Sequence, residues 1–192
     1  MRIVAGTHRG RVVDAPDGSD TRPTTDRVRE ALFSTLFSIR GGFDGAVVLD
    51  AFAGSGALGF EALSRGAACA VFYEKSRSAA NVVRKNAKSL GFSADQAHVV
   101  EADAMAHMRK PPAGAGFDLV FLDPPYSYDC GEVLGSVFAW PEGTIADGAI
   151  IVYEHALKDG DAVASACEKL GIEVLKAKKY GKTSVAILQT RS

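Results

Sequence analysis

The chain has 192 residues, of which 47% are hydrophobic and 23% charged, and these values are ordinary for a globular protein. The length suits one domain, and no stretch approaches the eighteen uninterrupted apolar residues of a membrane span. The three cysteines form no Cys-x-x-Cys pair, so we expect neither disulfides nor a metal site, and a cytoplasmic location. Taken alone, the net charge of −1 argues against a nucleic-acid partner, because nucleic-acid-binding domains are usually basic.

The near-zero total hides an uneven distribution of charge. Residues 95–161 carry three basic and twelve acidic residues, whereas residues 1–40 and 41–94 each carry +2 and residues 162–192 carry +4. All eight basic residues before Lys75 are arginines, whose planar guanidinium groups can bind phosphate through two hydrogen bonds. The N-terminal arginines therefore either form a solvated surface or face a phosphate-bearing partner.

The first forty residues predict a hairpin followed by a helix. Short apolar runs at 2–5 and 11–13 flank a loop that contains two glycines. Thr24 or Thr25 can cap a helix that extends to Ile39 and ends at the glycine pair after it.

From residue 46 onward, strand-like and helix-like segments alternate. The predicted strands are 46–50, 69–74, 98–101, 117–123, 149–153, 172–179 and 184–190. The predicted helices are 57–65, 76–90, 104–109, 130–138 and 160–170. Continuous apolar strands between helices are typical of a parallel sheet covered on both faces. Without a repeat or a long linker, the sequence predicts one α/β domain at 41–192, with residues 1–40 as an extension of that domain.

A glycine-rich turn follows the first of these strands. Residues 54–59 follow the G-x-G-x-x-G pattern, which lets the backbone approach a ligand closely at a helix N-terminus. Asp50 ends the preceding strand, and a carboxylate there is unfavourable beside pyrophosphate but suits a cationic ligand. S-adenosylmethionine carries a sulfonium and an ammonium group, so the sequence favours it over NAD.

Acidic residues also follow the next two strands. Glu74 can accept hydrogen bonds from ribose hydroxyls, and Asp103 can accept one from the adenine amino group. With their neighbours, these acids define the predicted cofactor-binding residues, which are Asp50, Ala51, Phe52, Gly54, Gly56, Glu74, Lys75, Asp103, Ala104 and Asp123.

The motif Asp123-Pro124-Pro125-Tyr126 follows the fourth strand. The prolines lack N–H donors and hold a rigid turn, so the Asp123 carboxylate and the Pro124 carbonyl can accept both hydrogens of an exocyclic amino group. This arrangement directs the nitrogen lone pair at an electrophilic methyl group, and Tyr126 can stack on an extruded base. We predict all four residues to be catalytic, without a metal.

Together these motifs make the chain resemble the RsmD family of rRNA guanine-N2 methyltransferases, which are class I enzymes that use S-adenosylmethionine. The resemblance is carried by the glycine turn, by the Asp-Pro-Pro-Tyr motif, by residues 2–11 and, most specifically, by Arg-Pro-Thr-Thr-Asp-Arg-Val-Arg-Glu at 22–30. It covers residues 2–126 in the family's order, while residues 127–192 match only in general layout.

The resemblance implies a Rossmann-like fold with a seven-stranded, mostly parallel sheet whose last strand is antiparallel. It implies methyl transfer from S-adenosylmethionine to N2 of a guanine in 16S rRNA, within a small-subunit assembly particle, by a monomer. Thr24, Thr25 and Glu30 either close over the cofactor or cap the helix. The arginines suited to RNA phosphates are Arg9, Arg11, Arg22, Arg27 and Arg29.

Other functions stay open on the sequence alone. Methylation of DNA adenine or of protein glutamine uses similar chemistry, although the glutamine enzymes typically carry Asn where Asp123 stands. A non-catalytic ribosome-assembly factor would keep the fold, but we expect such a protein to lose the glycine turn or the Asp-Pro-Pro-Tyr motif. The lysines at 176–182 either line an RNA surface or form a solvated strand edge, and we favour the strand edge.

Overall fold

The computed structural model describes residues 1–16, 26–109, 111 and 116–190. The chain comprises two compact units, residues 1–102 and residues 103–192. The predicted capping residues Thr24 and Thr25 lie outside the described residues.

The first unit contains a parallel sheet and three helices in its described part. Its elements in chain order are α1 (Asp26–Arg40), β1 (Val47–Asp50), α2 (Ala57–Ser64), β2 (Cys69–Tyr73), α3 (Arg77–Leu90) and β3 (Ala97–Val100). The strand order is β3-β2-β1, and both pairs are parallel. Parallel neighbours require helical crossovers, which α2 and α3 provide.

Local sequence signals set the ends of α3. The Ser76 hydroxyl accepts the Ala79 N–H at the first turn, and Gly91 ends the helix with a φ of 87°. All four residues of β1 are buried, as expected for a parallel strand covered on both faces.

The second unit combines parallel and antiparallel strands. Its elements are α4 (Ala104–His107), β4 (Phe117–Leu122), α5 (Cys130–Ala139), β5 (Ile145–Ala156), a 3-10 turn (Leu157–Asp159), α6 (Gly160–Leu170), β6 (Glu173–Tyr180) and β7 (Thr183–Gln189). The strand order is β4-β5-β7-β6, in which β4 and β5 are parallel and β7 is antiparallel to both its neighbours. The predicted α/β class and the antiparallel last strand are therefore confirmed.

Strand β5 extends well beyond its predicted limits of 149–153. It begins at Ile145, which pairs with Phe117, and the register shifts before Leu119 pairs with Ile150. Gly148, with a φ of 69°, lies in this irregular stretch, and a glycine inside an apolar run hides the strand from a pattern-based prediction. No helix in the described part of the chain is long and apolar enough to span a membrane.

The N-terminal segment packs on α2 rather than forming the predicted two-stranded hairpin. A single antiparallel bridge, Arg2–Val12, remains of that hairpin. The chain passes so close to α2 that a Cβ atom on Gly6 would lie 1.8 Å from the carbonyl oxygen of Ser64. The backbone N–H of Thr7 donates to the same carbonyl at 2.7 Å.

Glu61 is the buried anchor of this packing. Its side chain is fully buried, and its two oxygens accept the N–H groups of Val4 at 2.8 Å and Ala5 at 3.0 Å. The guanidinium of Arg65 lies 2.8 Å from one carboxylate oxygen, and Nε of Arg29 lies 3.7 Å from the other. Two cations and two backbone donors thus compensate one buried negative charge, as burial of a carboxylate requires.

Replacement of Glu61 by Ala should therefore destabilise the protein strongly. The substitution leaves two buried arginines and two backbone donors without their acceptor, so we expect a loss of about 3–5 kcal/mol in the free energy of unfolding. Glu101→Ala is the matched control, because Glu101 makes an exposed ion pair with Arg84 whose loss should cost less than about 1 kcal/mol. Urea denaturation measures both, and equal losses in the two variants would contradict the anchoring role.

Candidate active site

Asp50 occupies the carboxyl end of β1 and is 2% exposed. One of its oxygens accepts the Gly59 N–H at 3.1 Å, close to the N-terminus of α2. Burial raises the pKa of Asp50 from 3.8 to about 7, the nearby negative charge of Glu74 raises it further, and the hydrogen bond from Gly59 opposes both effects. A cation placed beside Asp50 would favour its charged form, so the carboxylate suits a positively charged ligand.

The three glycines of the G-x-G-x-x-G turn serve different purposes. A Cβ atom on Gly56 would lie 2.5 Å from Cε2 of Phe60, and one on Gly59 would lie 2.3 Å from Cε1 of Phe72. These two glycines therefore make room for packing of the protein itself. Gly54 differs, because its φ of 54° favours glycine while only a backbone oxygen, 4.0 Å away, lies near its missing Cβ. Gly54 is the glycine of the motif that leaves space for a ligand.

Glu74 links the glycine turn to the start of α3. One of its oxygens accepts the Gly54 N–H at 2.9 Å, and the other accepts the Ser76 N–H at 2.8 Å. Each carboxylate oxygen has two lone pairs, so these bonds leave acceptor capacity for ribose hydroxyls. The side chain is half-buried, which is compatible with its predicted role at a ligand.

Asn86 is a structural part of this region that the sequence did not reveal. It is 1% exposed, and its amide nitrogen donates to the carbonyl of Ser55 at 3.0 Å and to the carbonyl of Asp14 at 2.9 Å. Its amide oxygen accepts the Asp14 N–H at 3.0 Å. Asn86 therefore joins the glycine turn to the N-terminal segment, and an asparagine on the inner face of α3 was the available signal.

The remaining predicted residues of the first unit flank this turn. Ala51 is buried, Phe52 is half-buried and Lys75 is exposed. The structure thus gathers Asp50, Gly54 and Glu74 at one end of β1 and β2, while Gly56 supports the turn from within.

In the second unit, Asp103 caps α4. Its carboxylate accepts the Met105 N–H at 2.9 Å, and the following Ala104 is buried. Capping uses one of about four lone pairs of the carboxylate, so it is compatible with the predicted contact to an adenine amino group.

The Asp123-Pro124-Pro125-Tyr126 motif directly follows β4. Asp123 is half-buried, Pro124 is buried, and Pro125 and Tyr126 are exposed. The Pro125 carbonyl accepts the Tyr128 N–H at 3.0 Å and is therefore committed to the turn. The predicted acceptor pair for an amino group accordingly remains the Asp123 carboxylate with the Pro124 carbonyl.

The arginines predicted to bind RNA divide into two groups. Arg9, Arg11 and Arg27 are exposed, although Arg11 also donates to the carbonyl of Ser89 at 2.6 Å, and Arg22 lies outside the described residues. Arg29 is a correction to the prediction. It is 1% exposed and bonds to Asp26 at 2.7 Å and to the carbonyl of Arg2, so it stabilises the interior and does not face a phosphate backbone.

Stability should depend on pH through Asp50. Its carboxyl titrates near 3.8 when unfolded and near 7 when folded, so the folded state binds more protons between these values and stability falls as pH rises. From pH 5 to 7, the unfolding free energy of the wild type should fall relative to that of Asp50→Asn, by at most about 1.4 kcal/mol per pH unit. Denaturation curves at several pH values test this, and parallel pH profiles would contradict it.

Gly59→Ala should destabilise the protein, because the added methyl group overlaps the Phe72 ring. We expect a loss of about 1–3 kcal/mol. Gly135→Ala provides the control within α5, since a Cβ there meets no atom within 4 Å and alanine favours helix by about 1 kcal/mol. Thermal denaturation of both variants should give shifts of opposite sign, and a stable Gly59→Ala protein would rule out the packing role.

Comparison with known proteins identifies the family. The family model described as "Conserved hypothetical protein 95" matches residues 1–189. Ribosomal RNA small subunit methyltransferase D of Escherichia coli K12 is 40% identical over 160 residues, which cover 83% of this chain and 77% of the relative. The putative rRNA methyltransferase YlbH of Bacillus subtilis is 37% identical over 193 residues and covers both chains completely.

Solved structures agree with these relatives. The putative methyltransferase yhhF from Escherichia coli superposes with a TM-score of 0.79 at 34% identity, over 100% of this chain and 98% of that one. The putative methylase HI0767 from Haemophilus influenzae gives 0.73 at 30% identity, over 100% and 99%. The predicted Rossmann-like class I methyltransferase fold is thereby confirmed, and the chain belongs to the family that includes the ribosomal RNA small subunit methyltransferases D.

Proposed function

We propose that the protein transfers a methyl group from S-adenosylmethionine to the exocyclic N2 of a guanine in 16S rRNA. It acts as a monomer in the cytoplasm, on a small-subunit assembly particle. The observation that carries the proposal is the Asp123-Pro124-Pro125-Tyr126 turn, with a half-buried carboxylate and an exposed tyrosine directly after β4. Relatives named for methylation of small-subunit rRNA support the substrate class.

The residues around the glycine turn fit the cofactor. Gly54 leaves open space beside a left-handed backbone, and Asp50 provides a buried carboxylate for a ligand that carries positive charge. Glu74 has acceptor capacity for the ribose hydroxyls. When bound, S-adenosylmethionine supplies an electrophilic methyl group. The remaining residues proposed to hold it are Ala51, Phe52, Gly56, Lys75, Asp103, Ala104 and Asp123.

The Asp-Pro-Pro-Tyr turn holds the base. The Asp123 carboxylate and the Pro124 carbonyl accept the two hydrogens of the guanine amino group, which orients the nitrogen lone pair. As the nitrogen–carbon bond forms, the nitrogen becomes positively charged, and the carboxylate of Asp123 stabilises that charge until one proton leaves. Tyr126, 54% exposed, stacks on the face of the extruded base.

The exposed arginines of the first unit contribute the contact with the RNA backbone. Arg9, Arg11 and Arg27 present guanidinium groups to solvent, and Arg22 belongs to the same stretch of sequence. Removing the buried Arg29 leaves a modest basic surface. Such a surface suits an RNA whose shape is fixed within a ribosomal particle better than it suits tight binding to any RNA.

Asp123→Ala should abolish most of the activity. Small subunits from a strain that lacks the enzyme are incubated with the purified protein and S-adenosylmethionine, and the rRNA nucleosides are identified by mass spectrometry. We expect N2-methylguanosine from the wild type, and a fall of about 100- to 1000-fold in kcat for Asp123→Ala, because the amino group loses its orientation. Asp161→Ala, an exposed acid of α6, is the control and should retain wild-type activity.

Two results would contradict the proposed function. A methylated nucleoside other than N2-methylguanosine would refute the target atom. Full activity of a well-folded Asp123→Ala protein would refute the role of the carboxylate.

A further inference from the structure

The exposed tyrosine of the Asp-Pro-Pro-Tyr motif is tethered at its far end. Although Tyr126 is 54% exposed, its hydroxyl oxygen lies 2.5 Å from Oγ1 of Thr183. A tyrosine in an exposed loop rotates about two side-chain torsions, and a hydrogen bond at the hydroxyl restricts both. The bond therefore fixes the plane of the ring while both the ring and its stacking surface remain accessible.

Thr183 is a firm anchor for this bond. It is the first residue of β7 and pairs with Tyr180 of β6 on one side and with Ala156 of β5 on the other. The carbonyl of Lys182, just before it, accepts the Leu157 N–H at 2.9 Å. The backbone on both sides of Thr183 is thus held by hydrogen bonds that do not involve Tyr126.

We propose that Thr183 is a positioning residue of the enzyme, which holds the Tyr126 ring in the orientation that stacks on the target base. The inference rests on the proposed function, since it assigns the stacking surface to a guanine. Because the hydroxyl bond is already formed in the protein alone, the ring does not have to be ordered when the base arrives. Binding then avoids that entropic cost.

The surroundings of Thr183 suit a nucleotide. Directly opposed residues of an antiparallel pair point to the same face, so the side chains of Thr183 and Tyr180 share one face, together with that of Lys178. The ammonium of Lys178 lies 5.3 Å from the centre of the Tyr180 ring. A cation beside two tyrosines matches a base with its phosphate and does not match the neutral side chain of a glutamine substrate.

Removal of either hydroxyl tests the inference. Thr183→Val keeps the β-branched shape that a strand favours, and Tyr126→Phe keeps the ring, so both variants should fold while they lose the bond. Thr183→Ser restores the hydroxyl. Ser184→Ala is the control, because Ser184 is the next residue of β7 and its hydroxyl donates to the Lys178 carbonyl instead.

Steady-state kinetics with small subunits and S-adenosylmethionine varied separately give the readout. We expect Thr183→Val and Tyr126→Phe each to lower kcat/KM for the RNA substrate about three- to tenfold, with KM for S-adenosylmethionine unchanged. The double variant should be no worse than either single variant, because both remove the same bond. Thr183→Ser and Ser184→Ala should behave as the wild type.

Multiplicative effects in the double variant would overturn the inference, and so would wild-type kinetics of Thr183→Val. An equal loss for both substrates would indicate a general structural role and would also overturn it. In each of these cases the wild type still methylates small subunits, so the proposed function stands. A wild-type enzyme that methylates no small-subunit RNA would refute the proposed function itself.

Discussion

The buried carboxylate of Glu61 is the interaction on which the first unit depends most. A fully buried negative charge is tolerable only when nearby groups compensate it, and here the compensating groups come from three distant parts of the chain. Arg29 arrives from α1, Arg65 from the end of α2, and the Val4 and Ala5 N–H groups from the N-terminal segment. One acid therefore fixes the N-terminal segment on the helix that begins at the glycine turn.

This packing gives a physical link between the two surfaces proposed for ligands in the first unit. Helix α2 begins directly after Gly56, and Asn86 bonds both to the glycine turn at Ser55 and to the N-terminal segment at Asp14. The exposed Arg9 and Arg11 are carried by that same segment. Contact of these arginines with RNA is thus transmitted to the cofactor turn through buried hydrogen bonds rather than through a flexible loop.

Sequence patterns predicted what depends on local order along the chain. Asp50 and Glu74 were placed correctly at strand ends, because an apolar run followed by an acid marks the end of a buried parallel strand. Arg29 was assigned to the surface, since its burial depends on Glu61 in another element. Thr183 was missed for the same reason, as 57 residues separate it from Tyr126. Contacts distant in sequence leave no periodic signal.

Amide hydrogen exchange at Val4 and Ala5 tests the central claim most directly, namely that Glu61 makes the N-terminal segment an integral part of the first unit. These residues lie near a chain end, where amides normally exchange by local fraying. The account predicts that both amides exchange as slowly as those of Val48 and Leu49 in β1, which requires unfolding of the whole unit. Exchange within minutes at Val4 and Ala5, while β1 stays protected, would contradict it.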